Sequence, residues 1–155
     1  MAEPDSRFLR LVEDHGDTLL RAARLLCGDW AMAEDLLQRA LARTLIRWDP
    51  RRSGIDLVGL ADLAGQELIA TYLDEFPELD RPGDEWTNPP GGPLLYGLGE
   101  LDPAARATVV GGYYLDLADR DLAGLLGVAP GQVRHLGARS LAWLHQWRSA
   151  AVGAG

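Results

Sequence analysis

Near its C-terminus the chain reads "DLAGLLGVAPGQVRHLGARSLAWL", residues 121–144. Gly131, Gln132, Arg134, His135 and Arg139 fall there on the outward side of a helical repeat. Amide and guanidinium groups in such a row have a definite chemistry. Gln pairs with the edge of adenine, and Arg with guanine, in the major groove of duplex DNA. Catalytic chemistry has far less to work with. The histidines are His15, His135 and His145, and the single cysteine is Cys27. No metal-ligand spacing, phosphate-binding loop or nucleophile elbow occurs. Cys27 follows Leu25 and Leu26 and reads as a small buried hydrophobe. An enzyme is not expected, nor is a cofactor or metal.

The elements that would position the base-reading row have their own steric demands. A helix-turn-helix needs a small residue where its second helix crosses the first. Four residues later it needs a glycine at positive φ, and six further on an apolar plug. Ala123, Gly127 and Val133 match those offsets. Leu122, Leu126, Val128 and Leu136 fill the other inward places. Pro130 stands at the first helical position, where its missing N–H costs nothing. The alternative is a helical hairpin that packs and reads nothing.

Upstream the pattern is helical as well. In "FLRLVEDHGDTLLRAARLLC" apolar residues fall at 8, 9, 12, 19, 20, 23, 26 and 27, the period of one helix face. Gly28 ends that helix and Asp29 caps the next. "WAMAEDLLQRALARTLIRW" is apolar at 33, 36, 37, 40, 41, 44 (the Thr methyl), 45 and 48, and Asp49-Pro50 stops it. A third helix runs from about 54 to 76. Residues 77–93, "PELDRPGDEWTNPPGGP", hold five Pro and three Gly and read as a linker. Trp86, alone in it, is expected to fold back onto a neighbouring domain. Asp102 caps a further helix, with Pro103 at its first position. The expected fold is all-α: a three-helix domain over 1–76, a linker over 77–93 and a helix-turn-helix domain over 94–155.

The net charge is −8, and all 15 basic residues are Arg. The charge is unevenly spread. Residues 1–52 carry nine Arg and nine acids, residues 53–105 one Arg and eleven acids, and residues 106–155 five Arg and three acids. The acidity thus belongs to the middle third. No apolar run approaches the roughly 18 residues that span a bilayer, and "MAEPDSRF" is no signal peptide. A cytoplasmic protein without a membrane partner is expected.

Two stretches resemble a known family. "GDWAMAEDLLQRAL" is similar to the G-D-x-x-x-A-E-D-L-x-Q pattern of extracytoplasmic-function (group IV, sigma-70 family) RNA polymerase sigma factors, a group common in actinobacteria. "GVAPGQVRHLGARSLAWL" stands where that family has G-V-S-x-G-T-V-K-S-R-L-x-R-A-x-x-x-L. The order of the two blocks and the linker between them also correspond, over about two thirds of the chain. The resemblance implies a transcription regulator in which the second helix docks on the β′ coiled coil of core RNA polymerase. Glu34, Asp35, Leu37, Gln38, Arg39 and Arg43 occupy the matching positions. It also implies promoter DNA as a partner, met by Gly131, Gln132, Arg134, His135 and Arg139, with Arg120 or Arg106 near phosphates. An anti-sigma or other regulatory protein is a third candidate partner.

The chain departs from the family where the −10 element would be opened. That task needs cations for phosphates and aromatics for bases. The family is Arg-rich there. This chain has "GIDLVGLADLAGQELIATYLDEFPELD", with no basic residue and only Tyr72 and Phe76 as aromatics. Leu136 replaces a DNA-contacting Arg, Gly137 an apolar core residue, and Gly111-Gly112 a Leu-Arg pair. A second reading follows: a degenerate sigma-like protein that does not melt promoters and acts as an adaptor, a decoy or an anti-sigma partner.

Overall fold

The structure, a computed structural model, describes residues 6–48, 57–75 and 93–153. Every regular element among them is helical: α1 (Ser6–Cys27), α2 (Trp30–Arg47), α3 (Leu57–Glu75), α4 (Pro93–Glu100), α5 (Pro103–Val109), α6 (Asp119–Leu126) and α7 (Pro130–Gly153). The all-α expectation holds. Asp49-Pro50, Phe76, and the Pro/Gly-rich stretch with Trp86 lie outside the described residues.

The caps form as the sequence predicts. Asp29 accepts a hydrogen bond from the Ala31 N–H at 2.9 Å, and Asp102 from the Ala105 N–H at 2.8 Å. α1 and α2 make a hairpin clipped at both ends. The Arg24 guanidinium lies 4.9 Å from the Trp30 ring centroid, and Arg7 lies 5.0 Å from that of Trp48. The apolar face of α1 is set differently from the expected one. Leu11 is fully buried, whereas Leu9 and Val12 are exposed, as is Leu45 at the end of α2. Phe8, Leu11, Leu19, Ala22 and Leu26 follow one another at steps of three, four or eight residues, and only one face of a helix can turn inward.

The three-helix group α1–α3 and the group α4–α7 share one core. Leu11, Leu60, Leu68 and Ile69 belong to the same buried cluster as Val110, Leu117, Leu122 and Val133. A smaller cluster joins Leu98, Val109 and Leu144.

Arg106 lies in this junction with no exposed surface. Its Nε donates to Leu98 O at 2.7 Å. Nη1 donates to Leu26 O at 3.1 Å and to the Tyr72 hydroxyl at 2.9 Å. Nη2 donates to Gly99 O at 3.0 Å and Leu101 O at 2.8 Å. A guanidinium has five N–H groups, and all five are used. Leu26, Leu98 and Gly99 sit in the last turns of α1 and α4, whose carbonyls have no partner within their own helix. The negative ends of two helix dipoles thus converge on one cation. This corrects the expectation of Arg106 near phosphates: it is an internal staple. Tyr72 is fully buried as well, so it is not a platform for stacking a base.

After α5 the helix widens into one π turn over Val110–Tyr114, closed by Leu115 N–H to Val110 O at 3.0 Å. Gly111 is required there by space. A Cβ at this position would stand 2.7 Å from Leu122 Cδ2 and 3.4 Å from Ile69 Cγ1. Leu122 is itself completely enclosed. Gly111 is therefore more than a loss of helix propensity. It lets α5 approach α6 and α3. Gly111→Val is expected to cost about 1–3 kcal/mol by overpacking, read as a lower urea midpoint. An unchanged midpoint would mean that Leu122 moves aside freely.

Candidate functional site

The helix-turn-helix corner forms from the residues that predicted it. Ala123 and Val133 are buried. Gly127 has φ +70°, the left-handed region that a β-carbon disfavours. The Gly127 N–H bonds to Ala123 O, and the Val128 N–H reaches the same carbonyl at 3.0 Å. Val128 was expected inside but is exposed, because the chain leaves the corner there. Gly137 is buried at a close approach: a Cβ would meet Thr108 Cγ2 at 3.3 Å and Tyr113 Cε2 at 3.4 Å. The place of the expected apolar side chain is thus filled from the α5 side. Leu136 is half-buried in a cleft with Ala105, Ser140 and Trp143.

All the residues predicted to read bases lie on the exposed side of α7. Gly131, Gln132, Arg134, His135 and Arg139 are exposed, and so is Arg120 on α6. Two of them already have work within the chain. Gln132 Oε1 accepts from the Ala129 N–H at 3.0 Å, closing half of a capping box at the start of α7. Arg134 Nε donates to Asp119 Oδ2 at 3.2 Å. Asp119 opens α6, and nothing in the spacing of residues 119 and 134 announces this pair.

On α2, Glu34, Asp35, Gln38 and Arg39 are exposed, Leu37 is half-buried, and Arg43 is half-buried toward α3. The helix carries an arginine ladder against the acidic third helix. Arg39 pairs with Asp35 at 3.1 Å and with Glu75 at 3.2 Å. Arg43 pairs with Asp74 and with Glu67, each at 3.3 Å, and donates to the Thr71 hydroxyl at 3.1 Å. Arg47 pairs with Glu67, which is only 1% exposed. The contact of Glu67 Oε2 with Arg43 is an ion pair without hydrogen-bond geometry. Asp62, the remaining carboxylate of α3 among the described residues, accepts from Gln66 Nε2 at 2.7 Å. Asp35 first, and Glu75 after it, hold the Arg39 guanidinium above its ordinary pKa.

The ladder changes the meaning of the acidic middle third. Counted along the chain, α3 is a band of uncompensated anions. Folded, its described carboxylates are met within the molecule, three of them by arginines of α2. Glu34, Asp35 and Gln38 remain as an exposed polar group on α2, with the exposed Leu45 and Ile46 further along the helix. The sequence pattern had not marked that apolar pair as surface.

Cys27 is buried, as its neighbours suggest, and burial pushes its thiol up from 9.0 to about 12, with Arg106 acting the other way. The unfolded thiol ionises first, so the native state keeps a proton that the unfolded state loses. The resulting stability is complete below pH 9 and is lost as pH rises toward 12. Between pH 9 and 10.5 this one group is expected to remove about 2 kcal/mol. Urea midpoints of the protein should fall across that window more steeply than those of Cys27→Ala. Parallel curves would contradict the assignment.

Fold and site together define an all-α protein in which a C-terminal helix-turn-helix packs on a three-helix bundle. No family model matches the chain. The RNA polymerase sigma-E factor of Streptomyces avermitilis is 33% identical over 153 residues, covering 90% of this chain and 83% of that protein. The RNA polymerase sigma-E factor of Streptomyces coelicolor is 32% identical over 153 residues, covering 90% and 84%. The chain belongs to the family of extracytoplasmic-function sigma factors and is a sigma-factor-like protein of transcription regulation. Among the described residues no helix is long and apolar enough to cross a membrane.

Proposed function

We propose that this protein binds core RNA polymerase through the exposed face of α2 and contacts promoter DNA through α7. The similarity to sigma-E factors across both helical groups carries this reading. Glu34 and Asp35, with Gln38 a turn later, form an anionic and hydrogen-bonding row suited to arginines on a β′ coiled-coil helix. Arg39 and Arg43 support that row from behind: their ion pairs hold α2 against α3. On α7, His135 and Arg139 face outward beside Arg134. Arg120 on α6 is the nearest added cation for a phosphate. An anti-sigma or other regulatory protein is a further partner class for the same exposed α2 row.

Electrostatics makes the DNA contact weak without polymerase. The C-terminal third holds five Arg, but Arg106 is buried and Arg134 is paired with Asp119. Two or three phosphate contacts remain affordable, and each steepens the salt dependence by about 0.9 in the log–log slope. Fluorescence anisotropy of the full chain on duplex DNA is expected to give a slope of about −2 to −3. Arg139→Ala is expected to bring it about one unit closer to zero. A flat response across 50–200 mM salt, alone and with core polymerase, would reject the DNA contact. Retention of the chain on immobilised core polymerase tests the other half. Loss of retention in the Glu34→Arg/Asp35→Arg double variant is expected, and unchanged retention would displace the contact from α2.

A further inference from the structure

We propose that Asp119 is a positioning residue for base recognition by Arg134; this rests on the reading of α7 as the DNA-contacting helix. Arg134 lies in the second turn of α7, and its side chain is 74% exposed. Such an arginine would ordinarily sweep a wide volume and settle on any phosphate. Here its Nε is tied to Asp119 Oδ2 at 3.2 Å across the corner between α6 and α7. The tie consumes one of five N–H groups and leaves the four on Nη1 and Nη2 unused by it. Those two nitrogens are the fork that bonds two acceptors on one guanine edge. Arg134 and Asp119 also line the small cleft between α5, α6 and α7 together with Val133 and Gly137. Part of the arginine side chain thus borders the fold, while most of it is open to solvent.

The pair has two consequences of opposite sign. Fixing the guanidinium beforehand lowers the conformational cost of a directional contact. The Asp119 carboxylate also offsets the Arg134 charge and disfavours indiscriminate attraction to phosphates. Asp119 therefore exchanges general affinity for base preference. Asp121 lies in the same first turn of α6 and outside the Arg134 pair. A change there matches the effect on charge and helix dipole without touching the tie.

The test uses the full chain with core RNA polymerase on a pool of duplexes of randomised sequence. The bound fraction is sequenced, and binding to one duplex is followed against salt. The wild type is expected to enrich guanine at one position, and Arg134→Ala to erase that enrichment. Asp119→Asn is expected to reduce it about 5- to 10-fold while raising binding to unselected duplex about 2- to 3-fold, with a steeper salt slope. Asp121→Asn is expected to leave the enrichment intact. Arg134→Lys, which keeps the charge but loses the fork, is expected to lose the enrichment and keep the slope. Enrichment that depends on Arg134 but survives Asp119→Asn would overturn this inference alone. So would equal loss in the Asp119 and Asp121 variants, or an Arg134→Lys variant that still selects guanine. No enrichment by the wild type, with no effect of Arg134→Ala on binding, would overturn the reading of α7 itself, and this inference with it.

Discussion

Arg106→Met is expected to destabilise the protein by about 3–5 kcal/mol, because removing one partner of a buried polar network leaves the others unsatisfied. The groups that lose this donor are four carbonyl oxygens and the Tyr72 hydroxyl; of these the Leu98 carbonyl keeps the Leu101 N–H at 3.2 Å. The guanidinium is fully enclosed, and only the Leu101 carbonyl sits in a partly buried bond. Native domains have only about 5–15 kcal/mol in hand, so the loss is a large share of the total. At this size it corresponds to a fall in melting temperature of roughly 6–20 °C. Arg106→Lys is expected to recover little of it. An ammonium has three donors and cannot span five acceptors in the plane of a guanidinium. The same bonds run from the end of α1 and from α3 to the α4–α5 turn. The two helical groups should therefore unfold together in the wild type. Near-ultraviolet signals from Trp48 in one group and Trp143 in the other are expected to share one midpoint. A variant as stable as the wild type would show that Arg106 is no staple.

The second large effect concerns the buried carboxylate of the ladder. Glu67→Lys is expected to cost at least about 4 kcal/mol, because it places a third cation in an enclosed site already facing Arg43 and Arg47. Glu67→Met is expected to fall within about 1 kcal/mol of the wild type, because the charges it leaves behind, on Arg43 and Arg47, are not themselves buried. The difference arises from where the partners can go. Arg43 keeps Asp74 and Thr71, and the Arg47 side chain is 57% exposed and can turn to solvent. Urea unfolding followed by circular dichroism separates the two variants. Equal losses would indicate that the carboxylate itself, beyond the filled volume, stabilises the α2–α3 contact.

Local steric rules were the most legible part of the sequence. The offsets of Ala123, Gly127 and Val133 define a corner because each position has one geometric demand that few residues meet. Asp29 and Asp102 announce helix starts for the same reason. Lateral relationships were not legible. Arg106 looked like a surface cation, yet its neighbours Ala105, Ala107 and Thr108 are all buried with it, and small or apolar residues on both sides of an arginine are a signal that it faces inward. The acidity of the middle third reads along the chain as a segment without the cations that phosphates need. The arginines that answer Glu67, Asp74 and Glu75 lie 20 to 36 positions earlier on an antiparallel helix. A charge count along the chain cannot see a neighbour across a helix interface. The Asp119–Arg134 tie was hidden for the same reason. The phase of α1 went astray because Leu9, Leu11 and Val12 are all apolar, and hydropathy alone does not choose among adjacent positions. The ladder also bears on the non-melting alternative. Its case rested on the acidic middle third and on the lost basic residues; three of those carboxylates, Glu67, Asp74 and Glu75, are paired with arginines in the fold, and the missing cations are unaffected.

Reconstituted transcription tests the account most directly. Purified protein is added to bacterial core RNA polymerase with a library of linear promoter templates, and run-off products are resolved and sequenced. The account predicts products that start at defined positions, depend on the protein, and disappear with the Glu34→Arg/Asp35→Arg double variant. A chain that neither associates with core polymerase nor yields any template-dependent start would contradict it.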